Sequence, residues 1–214
     1  MIRAYQEIYL NKAQAVLGEA FDYAINVCSI PGNDFVKLFL ASATCLRLEK
    51  GEPALLLGKS GAEIVFDILF ETTGKGTEQE PKERFSRSVE YWIGWAVAYY
   101  QWWSGRGYSE IFKALSFENL KNMYGVLHEA PVTKFADIAN ERIRECFPDT
   151  NLKRMRVAFG CSQAQLAKLS GVGLRSIQMY EQRNKNINKA SVETVCRLAK
   201  ALGCSAEDLV EKAL

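Results

Sequence analysis

Apolar side chains recur at helical spacing along most of the chain, and no segment shows the strict alternation expected of a half-buried strand. Tyr9, Ala13, Val16, Leu17, Ala20, Ala24 and Val27 outline a first long helix, which Pro31 and Gly32 break. Asn33 or Asp34 is expected to cap the next, where Phe35, Leu38, Phe39, Ser42, Cys45 and Leu46 follow the i, i+3, i+4, i+7 template up to Gly51 and Pro53. Ser60 and Glu63 form a capping box that leads into Ile64, Val65, Ile68 and Leu69. Residues 72–84 are polar and glycine-bearing, and are predicted to be a mobile surface loop. A dense aromatic helix follows over 91–103, then three more over 109–115, 117–127 and 132–146, with Pro131 near the start of the last. The pattern predicts an all-α fold.

Beyond a short seam at 147–150 the helices shorten. Residues 151–159 read as a basic amphipathic helix with Leu152, Met155 and Phe159 inward, ended by Gly160. Ser162 and Gln165 form a second capping box; Leu166, Ala167 and Leu169 supply a buried side, Gly171 permits a sharp turn, and Val172 plugs it. Ile177 and Tyr180 then hold a second helix against the core, leaving Leu174, Arg175, Gln178 and Met179 facing outward. A further stripe of Val192, Val195, Leu198, Ala199 and Leu202 closes at Gly203, and Ser205-Ala-Glu-Asp caps a last short helix carrying Leu209 and Val210.

A capped helix, a glycine turn and a second helix with a polar leading face are the layout of a helix-turn-helix, whose second helix enters the major groove of DNA. Arg and Gln can pair bidentately with guanine and adenine edges, and apolar side chains can meet thymine methyls. Gln163, Arg183 and Lys185 flank the motif where backbone phosphates would lie. Residues 150–211 resemble the Cro/phage-repressor (XRE-type) family. That resemblance implies a five-helix DNA-binding domain with Gln163 on phosphate and Leu174, Arg175, Ser176, Gln178 and Met179 on a recognition helix spanning about 174–183. At Gly173 the chain departs from the family, many members of which carry a Ser or Thr hydroxyl there; its absence removes a cap and a phosphate contact.

Charge strengthens this division. Residues 149–214 hold 11 Lys/Arg against 6 Asp/Glu, whereas residues 1–148 hold 16 against 19, so the net positive charge sits with the motif. We therefore expect two domains, an aromatic-rich helical one at 1–147 and a repressor-like helix-turn-helix one at 148–214, the first not assignable to a characterised family. In the first, Trp92, Trp95, Tyr99 and Trp103 share one helical face. That face is either the central core post or a groove for a ligand or partner helix.

Other chemistry is weak. Gly58-Lys59-Ser60 imitates the end of a phosphate loop, but Pro53 stands where its first glycine belongs. His128 is the sole histidine and sits at a helix end; no catalytic set can be assembled around it, so no enzyme, cofactor or metal site is expected. The six cysteines show no CxxC pair and are read as reduced thiols of a cytoplasmic protein; with no signal peptide or apolar span, no membrane association is expected. The expected partners are double-stranded DNA, a second copy of the chain in a homodimer, and a partner protein or small-molecule effector at the N-terminal domain. The expected function is a sequence-specific bacterial transcription regulator. The alternative is an antitoxin-like protein whose N-terminal domain binds another protein while the helix-turn-helix serves autoregulation.

Overall fold

The computed structural model describes residues 3–77, 79–80 and 87–211. Helix is the only regular secondary structure among them, and no helix is long and apolar enough to cross a membrane. The chain divides into two compact units, Met1–Cys146 and Phe147–Lys212.

The first unit contains α1 (Leu10–Asn26), α2 (Gly32–Ala41), α3 (Ala43–Glu49), α4 (Pro53–Leu56), α5 (Gly61–Thr73), α6 (Val89–Ser104), α7 (Tyr108–Ala114), α8 (Phe117–Leu127) and α9 (Val132–Cys146). Helix α6 is the central post. Its small residues lie against α1, and a Cβ on Gly94 would stand 2.3 Å from the Leu17 carbonyl oxygen, so only glycine admits this approach. Phe21, Phe35, Phe39, Tyr108 and Phe112 form the aromatic heart of the unit, with edge-to-face pairs such as Phe21–Phe35 at 5.1 Å between centroids.

Several local expectations change here. Neither Asn33 nor Asp34 caps α2: Pro31 precedes its first turn, no side chain caps it, and Asp34 pairs with Lys37 inside the helix. The single helix expected over 35–46 is two. Ser42 is extended (φ −84°, ψ 149°); its hydroxyl donates to the Phe39 carbonyl at 2.7 Å and accepts the Cys45 amide at 3.1 Å. A hydroxyl that satisfies backbone groups on both sides competes with the helical ladder and breaks it. The restart rotates Leu46 outward, where it is 58 % exposed. Of the expected loop at 72–84, Thr72 and Thr73 belong to α5 and Gly74 is its left-handed cap (φ 74°), while 78 and 81–84 lie outside the described residues.

The second unit contains α10 (Asn151–Ala158), α11 (Gln163–Ser170), α12 (Leu174–Glu181), α13 (Val192–Leu202) and α14 (Ala206–Leu209), with a 3-10 turn at Ile187–Lys189. Leu152, Leu166, Ile177, Tyr180, Ile187, Leu198, Leu202 and Leu209 close its core. Three residues expected inward face out instead: Phe159, Leu169 and Val192. Helix α10 ends at Ala158, so Phe159 leaves the stripe, and Val192 is only the first residue of α13. The inner place near Leu169 goes to Ser170, whose hydroxyl donates to the Leu166 carbonyl (2.7 Å) and accepts the Val172 amide (3.2 Å).

Candidate nucleic-acid interface

The capping box at the start of α11 is complete: the Gln165 amide donates to the Ser162 hydroxyl at 3.2 Å, and the Ser162 amide to the Gln165 side chain at 2.7 Å. Gly171 ends α11 in the left-handed region (φ 68°), with its amide on the Ala167 carbonyl, and Val172 turns inward. Helix α12 then begins at Leu174, and its N-cap residue Gly173 offers no side-chain cap. Ile177 and Tyr180 bury its inner side, at 0 % and 5 % exposure. Arg175 and Leu174 are exposed at its leading end, whereas Ser176, Gln178 and Met179 are half-buried beside them. An apolar side chain, a guanidinium and an amide thus stand on one outward helical face, a set able to meet a thymine methyl and purine edges.

What holds that face in position was not read from the sequence. Glu181, at the last turn of α12, is the buried hub of the module. Its carboxylate accepts from Arg156 Nε (2.6 Å) and Nη2 (2.9 Å) and from Gln163 Nε2 (2.7 Å). Arg156 also donates Nη1 to the Cys161 carbonyl at 2.8 Å. The carboxylate in turn stabilises the charged guanidinium, raising Arg156 from its ordinary value. One network therefore joins the end of α10, the loop before α11, the first residue of α11 and the end of α12. The signal lay in the spacing: Glu181 follows the buried Ile177 by four residues and Arg156 follows Leu152 by four, so both charges fall on core-facing stripes.

The flanking residues expected at phosphates are differently placed. Lys185 is exposed, with its ammonium 5.4 Å from the Tyr180 ring centroid. Its neighbours Ser176, Thr194 and Arg197 join the turn Gly171–Gly173 around an open hollow of about 250 Å³. The Gln163 amide donates one of its N–H groups to Glu181. Arg183 is occupied by the carbonyls of Phe147 and Pro148, at 3.3 and 2.5 Å.

In the first unit, Trp92, Trp95, Tyr99 and Trp103 are all half-buried on one flank of α6. Trp92 meets the edges of Tyr124 and Phe135 at 5.7 Å, Trp103 stacks on Tyr100 at 6.0 Å, and the Arg3 guanidinium lies 5.4 Å over Trp103. The fully buried face of α6 is the one bearing Ile93, Ala96, Val97 and Tyr100.

Residues 152–209 match the family model described as Helix-turn-helix. No curated protein and no solved structure matches the chain. The C-terminal region is thus an XRE-type helix-turn-helix domain, a DNA-binding module, and the match leaves residues 1–151 unassigned.

Proposed function

We propose that this protein is a sequence-specific, DNA-binding transcription regulator that reads a two-fold operator as a homodimer, with α12 in the major groove. The observation that carries the reading is the outward face of α12, with Leu174, Arg175, Gln178 and Met179 presented while Ile177, Tyr180 and Glu181 anchor its back, within a module of a DNA-binding family. Arg175 and Gln178 read base edges, Leu174 and Met179 meet thymine methyls, Ser176 lies beside them, and Lys185 neutralises a phosphate. A dimer of such modules requires half-sites spaced by about one helical turn, roughly 34–36 Å.

The test is selection of bound sequences from a random duplex pool by the full chain at near-physiological salt. The expected product is a palindrome with that spacing. Arg175→Ala should then cost about 1–3 kcal/mol on the selected site and relax preference at one base pair. A pool that returns unenriched, with only salt-sensitive binding, refutes specific readout. An Arg175→Ala loss that is equal on random DNA reassigns that residue to the backbone.

A further inference from the structure

Arg183 lies two residues beyond α12 and is one of two non-glycine residues in the described chain with positive φ, at 58°. For an L residue this region carries a steric penalty that a glycine would avoid. The side chain shows what offsets it. Nη1 donates to the Pro148 carbonyl at 2.5 Å, and Nη2 to those of Phe147 at 3.3 Å and Asp149 at 3.5 Å. The Nε is sealed from solvent with no hydrogen-bond partner, so the inner part of the side chain is enclosed. The backbone is equally committed, with the Arg183 amide on the Tyr180 carbonyl (3.1 Å) and the Lys185 amide on that of Met179 (3.1 Å).

We infer that Arg183 is a positioning residue, a clamp that fastens the segment 147–149 to the C-terminal end of the recognition helix, and is not a phosphate contact. This rests on the reading of α12 as the recognition helix. Three consecutive carbonyls converging on one guanidinium suit its planar fork of donors, which a lysine ammonium cannot reproduce. The segment is tied on its far side as well: the Thr150 hydroxyl accepts the Lys153 amide (3.2 Å) and caps α10, and the Asn151 side chain donates to the Val210 carbonyl (2.8 Å). Residues 147–149 are also the covalent entry into the module from residues 1–146, so a force that shifts this segment is delivered through Arg183 to the end of α12.

Phosphate contact and clamp make opposite predictions for Arg183→Gly and Arg183→Lys. Glycine suits the left-handed backbone, so the first variant keeps its fold; the second keeps the charge. Two readouts are taken: the salt dependence of duplex binding, and the rate at which an endoproteinase specific for aspartyl amide bonds cuts before Asp149. For the clamp, both variants are cut about tenfold faster, because local opening now costs less, and both keep the wild-type salt slope. Lys185→Ala is the reference: its slope becomes shallower by about 0.9 while its cutting rate stays at wild type. The inference is overturned if Arg183→Gly loses a similar slope, or if Arg183→Lys protects the Asp149 bond as well as arginine does. A wild-type chain that binds no duplex would refute the functional reading alone, since the cutting rates decide the clamp by themselves.

Discussion

Replacing Glu181 by alanine strands a largely enclosed guanidinium. The Glu181 side chain is 2 % exposed and that of Arg156 is 11 %, so little water is at hand to replace a lost partner. Breaking a buried pair from one side costs about 3–5 kcal/mol. The helix-turn-helix unit has about 65 residues, and at roughly 0.05–0.15 kcal/mol per residue its whole stability is about 3–10 kcal/mol. Glu181→Ala should therefore bring the module to the edge of unfolding and abolish duplex binding without touching a residue proposed to face the bases. The chain supplies its own control, because all four tryptophans, at 92, 95, 102 and 103, lie in the first unit. In urea titrations the helical circular dichroism should lose an early component, while the tryptophan fluorescence transition stays in place. Arg156→Met combined with Glu181→Leu should restore most of the stability, since apolar replacement of both partners of a buried pair is often neutral or better. A single-variant cost below about 1 kcal/mol, or a fluorescence midpoint that moves with the dichroism, would refute the argument.

Gly173→Ser should stabilise the module by about 1 kcal/mol, through a new N-cap and a less flexible unfolded chain. The position has ordinary φ (−58°) and a Cβ there meets nothing within 4 Å, so a thermal melt that falls instead of rising would contradict the geometry. The same hydroxyl should tighten duplex binding. Alkali should unfold the first unit. Burial pushes the Tyr100 hydroxyl, which donates to Asn140 at 2.8 Å, up to about 12, and raises Tyr5 and Tyr108 too. A folded value above the ordinary 10 gives a contribution that is intact below pH 10 and is lost as pH climbs toward 12. Tyrosinate absorbance at 295 nm from these residues should thus appear together with the tryptophan transition, and its appearance in the still-folded protein would contradict their burial.

The sequence was most legible where structure is decided within four residues. The boxes at Ser60, Ser162 and Ser205 are each satisfied by their own third neighbour, and no tertiary partner can alter that. At Ser42 the pattern misleads, because a buried serine is compatible with a helical stripe, and only its two hydrogen bonds reveal a break. On α6 the aromatics are conspicuous in sequence, but the closest packing falls at Gly94, on a different face, because close approach of two backbones depends on what is missing from a side chain. The charged residues were the least legible, for a different reason. Arg156, Glu181 and Arg183 carry side chains that normally stay in water; Glu181 is buried and the two arginines half-buried, which is stable only when hydrogen-bond partners arrive from separate segments. A charge that falls on an apolar stripe therefore asks for an opposite charge on another stripe. Arg156 and Glu181 meet that condition at a separation of 25 residues, and so fix the pose of the helix whose outer face is proposed to read DNA.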